Sequence, residues 1–298
     1  MKAQDPLELL AFTDPVCTWC WGSEPVLRKL RRWYGDQLHI RYLMGGLVED
    51  IRTFYDRANA IGGDPELANG QVARHWLEAS ARHRMPVQTH GFRLFSAEAP
   101  STYPQNVAYK AAELTQPGLA HRYLRRLREA SAAEARETGL FGVLIELADE
   151  VGLDRSTFVR HLDDGSAERA FRADLETTRR YGVRSFPTFV LRYADEAAKL
   201  HGCPTFPVMR ATIERLSGRA FEPRPPAHDP QALLDFLLVD GRAAPVELAT
   251  VFDLDGDTLD RLLADLAREG RTKCVPAGNG CFWEAAGPGL PAETRTPA

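Results

Sequence analysis

Cysteine is scarce in this chain, with five residues in 298. That is too few for a disulfide-stapled scaffold, and in a reducing compartment two close cysteines point to catalysis or metal binding. A basic excess is also missing. Lys and Arg number 37 against 41 Asp and Glu, a net charge of −4, so there is no general attraction to nucleic acid or anionic membrane. No apolar run approaches the roughly 18 residues of a membrane span. The opening MKAQDPLELLAFTDP lacks a charged n-region followed by a long apolar h-region. Its apolar piece, Leu7 to Phe12, is strand length and interrupted by Glu8, so no secretory signal is read and a cytoplasmic location is expected. What remains is 44% hydrophobic and 26% charged, a soluble globular composition with room for one large domain or two smaller ones.

Leu7 to Phe12 reads as a buried strand that Asp14 and Pro15 break. Ser23 to Tyr34 spaces Val26, Leu27 and Leu30 at helical intervals with Arg and Lys between them, an amphipathic helix. Between the two lies TDPVCTWCWGSEP, with Cys17 and Cys20 as a C-x-x-C pair at the helix start. Free N–H groups and the helix dipole there favour negative charge, which predicts a lowered pKa and a nucleophilic role for Cys17. Cys20, three residues on, faces the same turn and is placed to resolve a mixed disulfide on Cys17. Half a zinc site and an inert buried pair are the alternatives. Zinc needs two more ligands, and Cys274 and Cys281 are too widely spaced for the usual knuckle and fall in a different predicted unit.

His39 to Met44 reads as a second strand. From there to about Tyr181 the pattern is almost all helix, with no further strand region. VRSFPTFVLRY follows, a β-rich run with Pro187 at its start. A short strand near Lys199 to His201 and a helix over TFPVMRATIERLSG come next. C-x-x-C before a helix and Pro-Thr before an apolar strand together resemble thioredoxin-like proteins. Pro187 follows Cys17 by 170 residues of largely helical sequence, which resembles the DsbA-like branch with its helical insertion. CTWCWGSEP, YLMGGL, HWLEAS and STYPQNVAYKAAEL are similar to the cytoplasmic FrnE-like dithiol–disulfide isomerase group and to the related adaptors that deliver the regulator Spx for proteolysis. The resemblance covers about residues 5–217.

That resemblance implies an α/β fold: a thioredoxin-like sheet over residues 1–218 with a helical insertion at about 48–165. It implies a cis bond before Pro187, lying against the C-x-x-C. Phe186, Thr188 and Trp19 would then bind an extended substrate segment. Glu24, seven positions after Cys17, would lie beneath the pair, have its pKa raised by partial burial and shuttle the proton of Cys20, while Pro25 kinks the helix. No cofactor and no metal are implied. The partners would be protein or peptide thiols and disulfides, with glutathione among them.

Residues 219–230, RAFEPRPPAHDP, read as a linker. Three helical patterns and two short β runs follow, the order of a small winged-helix-like module over 231–286, and then a disordered tail over 287–298. Asp229 to Glu284 holds 11 acidic and 5 basic side chains, a net of −6, the wrong sign for DNA. A protein partner or a dimer contact suits that module better. Cys274 and Cys281 flank its hairpin turn and would form a second thiol pair if the register brings them together. DLDGDTLD looks like a calcium loop, but Gly256 falls too early and Ala264 stands where glutamate is needed. Cys203 in HGCPTF reads as a packed thiol or a redox partner.

The leading function is thiol–disulfide exchange or isomerisation on protein disulfides. The alternative is a non-catalytic adaptor on the same fold that delivers a client to a protease. A glutathione transferase of the kappa type shares the fold but usually presents serine in place of Cys17. Strongly oxidising relatives carry histidine between the cysteines, and this chain carries Trp19, which supplies no imidazolium to hold a thiolate. The Cys17–Cys20 couple should therefore be less oxidising than the periplasmic oxidants when titrated against glutathione. A potential matching theirs would refute this.

Overall fold

The computed structural model describes residues 6–286; the expected tail over 287–298 lies outside them. The chain runs β1 (Leu7–Thr13), α1 (Thr18–Gly22), α2 (Glu24–Tyr34), β2 (Leu38–Met44), β3 (Tyr55–Asp56), β4 (Ile61–Gly62), α3 (Pro65–His83), α4 (Tyr103–Thr115), α5 (Pro117–Ala132), α6 (Phe141–Glu150), α7 (Arg155–Asp163) and α8 (Ser166–Arg180). It continues through β5 (Thr188–Tyr193), β6 (Glu196–His201), α9 (Phe206–Ser217), α10 (Pro230–Asp240), α11 (Pro245–Phe252), α12 (Gly256–Arg268), β7 (Thr272–Ala277) and β8 (Gly280–Ala285). Sequence punctuation explains many of the boundaries. Asp64, Asp154, Asp229 and Asp255 each cap a helix by accepting backbone N–H bonds, with proline next after Asp64 and Asp229. Asp255 is therefore a helix cap inside the stretch that resembles a calcium loop.

Four strands form the central sheet in the order β2-β1-β5-β6. β1 and β2 are parallel, and the other pairs are antiparallel. Leu7, Leu9 and Ala11 face one apolar cluster with Leu27, Leu30 and Met209; Leu10 and Phe12 face another with Leu43 and Val190. Burial on both faces is why β1 is an almost unbroken apolar run. The register brings four chain segments to one sheet edge. Thr13 pairs with Met44, Phe12 with Thr188, and Thr188 with His201. The segments that leave that edge carry Cys17, Gly45, Pro187 and Cys203.

The long stretch expected to be helical is not wholly so. β3 and β4 form a two-stranded hairpin, Tyr55 opposite Gly62 and Asp56 opposite Ile61. Strands this short carry no period-2 signal, which is why the sequence pattern hides them. The helix after the C-x-x-C is broken at Ser23, one residue before Glu24 and two before Pro25.

The C-terminal elements follow the order helix, helix, helix, hairpin, and Ala243 adds a bridge to Trp283. They pack closely on the rest. Arg28 donates to the backbone carbonyls of Asp240 and Arg242, at 2.8 and 3.0 Å, and to Glu247 at 3.2 Å. Trp33 Nε1 donates to Val251 O at 2.8 Å. Lys29 is buried over the rings of Trp33 and Phe206 and pairs with Asp253. At the hairpin tip, Asn279 accepts from Val87 N and donates to Ser80 Oγ. Gly278 has φ +54°, and a side chain there would strike the Val87 carbonyl at 2.0 Å. The Pro-rich stretch before α10 is held too, with Phe221 buried and Arg224 N donating to Trp33 O.

Glu247 is fully buried and accepts from Arg125 at 2.5 and 2.9 Å as well as from Arg28. Removing one member of such a cluster strands the remaining charges without water. Glu247→Ala should cost about 3–5 kcal/mol in urea unfolding; a loss under about 1 kcal/mol would mean that water reaches the two arginines.

Candidate functional site

The C-x-x-C sits where β1 ends. Val16 N donates to Asp14 Oδ1, and Cys17 becomes the N-cap of α1, with the Cys20 N–H donating to its sulfur at 3.3 Å. Cys17 is buried but lines a cleft of about 840 Å³, while Cys20 is fully buried behind it. The Phe186–Pro187 peptide bond is cis, and the Cys17 thiol donates to Phe186 O at 3.7 Å. Trp19 and Phe186 also line the cleft, with Phe54, Tyr55, Trp76 and Tyr103 supplying more aromatic wall. Gly45 is what admits Phe186. A side chain at 45 would lie 2.0 Å from Phe186 Cζ, so only glycine lets that ring rest against the end of β2.

Thr188, expected beside the substrate, is buried and donates to Ser185 O at 2.8 Å. Cys203 donates to Trp19 O at 3.2 Å, and partial burial, then the charge of Cys20, push its thiol up to about 12. Cys274 and Cys281 lie on β7 and β8, outside the cleft. Among the described residues, no three His, Cys, Asp or Glu side chains gather as a metal-ligand set.

Two electrostatic expectations need correction. The thiols hydrogen-bond to each other, and their surroundings favour charge on the inner one. That hydrogen bond, then burial, then the charge of Cys20 raise Cys17 well above its ordinary value. Burial also opposes ionisation of Cys20, but the bond to Cys17, the charge of Arg128 and Thr13 outweigh it and lower the Cys20 pKa. A helix N-terminus predicts the reverse, but α1 is only five residues long, and Cys17 and then the Arg128 guanidinium favour charge on Cys20. The pKa of Glu24 is not raised. Burial works upward, yet Arg128, Arg125 and Arg31 hold its carboxyl at about 2. Arg128 bonds both Glu24 and Thr13, so the group presented to Cys20 is a cation and not a proton-carrying acid.

Sequence reasoning missed several residues that build this site. Arg128 is fully buried on α5, where its neighbours Arg125 and Arg126 make the stretch read as a solvated face. Asp14, read as a strand breaker, is fully buried and accepts from Val16 N, Leu47 N, Thr102 Oγ1 and Asn106 Nδ2. It thereby ties the C-x-x-C loop to the residue after Gly46 and to α4, and burial raises its pKa. The polar residues of STYPQN were the available signal. His83 accepts Met85 N on Nδ1, so its proton sits on Nε2, facing Thr18 Oγ1 at 3.3 Å. Burial lowers its pKa to about 4, and it borders Trp19 as an uncharged ring at neutral pH.

These features define a thioredoxin fold of the DsbA-like kind with a dithiol at the end of its first strand. A sequence model of the family described as Thioredoxin matches residues 10–210, and the chain belongs to that family. Relatives named ClpXP adapter protein SpxH match across nearly its whole length. The one from Shouchella clausii is 31% identical over 287 residues, covering 95% of this chain and 90% of that protein. The one from Bacillus subtilis is 27% identical, covering 94% and 89%. Cytosolic disulfide reductase DsbM from Pseudomonas aeruginosa superposes with TM-score 0.51 at 24% identity, covering 65% of this chain and 89% of that one. A solved Nitrosomonas europaea structure superposes with TM-score 0.61 at 18% identity, covering 72% and 100%. No helix of the described residues is long and apolar enough to cross a membrane.

The depressed Glu24 pKa sets a pH window. An acid lowered from 4.5 to about 2 adds stability that is complete above pH 4.5 and lost as pH falls toward 2. Glu24→Gln should therefore be less stable than the parent at pH 7, with the gap closing across that window in acid-titrated unfolding. A gap that stays constant with pH would show that Glu24 is not the titrating group.

Proposed function

We propose that the chain is a thiol–disulfide oxidoreductase or isomerase, acting on disulfides in extended protein or peptide segments. The observation that carries this is the Cys17 sulfur, which accepts the Cys20 N–H, faces an aromatic-lined cleft and lies 3.7 Å from the carbonyl of Phe186. Cys20 first gives up its proton to solvent, and moving the Cys17 proton onto the Cys20 thiolate then leaves Cys17 as thiolate and Cys20 as thiol. Cys17 attacks one sulfur of the substrate disulfide, forms a mixed disulfide and expels the other sulfur as a thiolate, which takes up a proton. Cys20, whose ionisation Arg128 favours, then attacks the Cys17 sulfur and releases the second substrate thiol. The substrate gains two electrons and the pair closes as a disulfide. A thiol donor of the glutathione class reopens it by the reverse exchange. Phe186, Pro187 and Trp19 position the segment, with Thr188 holding the turn beneath it. Glu24 acts by holding Arg128, not by carrying a proton. The reading needs no organic or metal cofactor, and the reducing chemistry suits the cytoplasm.

A second reading has its own support. The family match stops at residue 210, whereas the SpxH relatives align over as much as 95% of the chain, so the C-terminal elements are shared with proteins named as adapters. On that reading residues 231–286 form a module whose net −5 charge docks a protein partner, and the cleft holds a client without turning it over.

Insulin reduction separates the two. Cys17→Ser should bring turnover down to the uncatalysed rate, and Cys20→Ser should accumulate the mixed disulfide on Cys17. Turnover that survives Cys17→Ser would defeat the enzyme reading. An inactive parent that still binds a client would favour the adaptor.

A further inference from the structure

The C-terminal hairpin carries two thiols that the Cys17–Cys20 site does not use. β7 and β8 pair with Cys274 opposite Trp283 and Pro276 opposite Cys281. All four side chains therefore share one face, and Val275 and Phe282 point to the other, where Phe282 is buried. Trp283 exchanges both its backbone hydrogen bonds with Ala243, at 2.8 and 3.0 Å. Its amide groups thus point away from β7, and Cys274–Trp283 is a non-hydrogen-bonded pair. Pro276–Cys281, two residues on, is another; Pro276 has no N–H to give. Side chains come closest across such pairs, and strand twist draws one diagonal of the face together. Cys274 and Cys281 occupy that diagonal. Cys274 is exposed and Cys281 half-buried, so solvent reaches the pair.

We propose that Cys274 and Cys281 are a second redox-active dithiol, which closes to a cross-strand disulfide by exchange with a disulfide of the glutathione class. The exposed Cys274 gives up its proton to solvent and attacks one sulfur of that disulfide. The small S–S bond breaks, and one glutathione leaves as thiolate and is protonated. Cys281, pushed up to about 12 chiefly by burial, is a poor first nucleophile but already adjoins the mixed disulfide. It loses its proton, attacks the Cys274 sulfur and expels the second glutathione. Two protein thiols lose two electrons and the small disulfide gains them. Asn279 holds the tip of the hairpin to Val87 and Ser80. This chemistry stands apart from that of Cys17 and Cys20.

The test uses the full chain, equilibrated with graded ratios of glutathione to its disulfide, alkylated, digested with trypsin and weighed. Cleavage after Lys273 and Arg295 leaves both thiols on one peptide, and cleavage after Lys2 and Arg28 leaves Cys17 and Cys20 on another, so each pair is read separately. As the mixture becomes oxidising, peptide 274–295 should pass in one step from two alkyl groups to none, two hydrogens lighter. Cys281→Ser should stop at a single glutathione on Cys274. Two independent glutathione adducts on the parent peptide would overturn the proposal, as would two free thiols at every ratio.

Discussion

A buried cluster of charge holds this molecule together. Glu24 at the start of α2 faces Arg128 and Arg125 from α5 and Arg31 from its own helix; Arg125 and Arg28 in turn face Glu247 at the start of α11. Burying so many ions costs several kcal/mol each unless every one is matched. The matching here fixes geometry: the helix after the C-x-x-C, the insertion and the C-terminal elements fit together in one arrangement. Glu24 Oε2 and Arg128 Nε make no hydrogen bond, so charge opposition, more than perfect bonding, sustains the centre. Arg128, held there, becomes the cation that Cys20 feels.

The sheet does the rest of the positioning. Parallel pairing of β1 with β2 and antiparallel pairing with β5 bring two strand ends and one strand start to the same edge. Cys17, Gly45 and the Phe186–Pro187 turn meet there by register alone. Asp14 then locks the loop between strand and thiol by accepting four hydrogen bonds. Chemistry and support are divided between the thiols: Cys17 has access, and Cys20 has the cation.

Much of this was legible in the residues. A buried apolar strand, a C-x-x-C at a helix start and a Pro-Thr before a second apolar strand have distinct local patterns, and so do the three helices and hairpin of the C-terminal module. Long-range charge was not. Arg125 and Arg128 sit among further arginines in HRYLRRLREA, and only tertiary packing shows that one of them is sealed from water. For the same reason the resemblance placed Glu24 beneath the pair but gave its pKa shift the wrong sign, because the resemblance implied burial and did not reveal the three opposing cations. The β3–β4 hairpin is too short to carry periodicity, and the cysteine relation on β7 and β8 depends on a register that the sequence leaves open.

The order of synthesis gives the charge cluster one more consequence. Glu247 leaves the ribosome 122 residues after Arg125, and until it arrives Arg125 and Arg28 lack their main counter-ion. A nascent chain ending near residue 218 would hold the dithiol and the whole central sheet yet keep those arginines hydrated. Its Glu24 would already face Arg128 and Arg125 from α5, but Arg28 and Arg125 would still lack Glu247. The C-terminal elements therefore complete a charge cluster in which Arg128, the cation that Cys20 feels, already has its partners in Glu24 and Thr13.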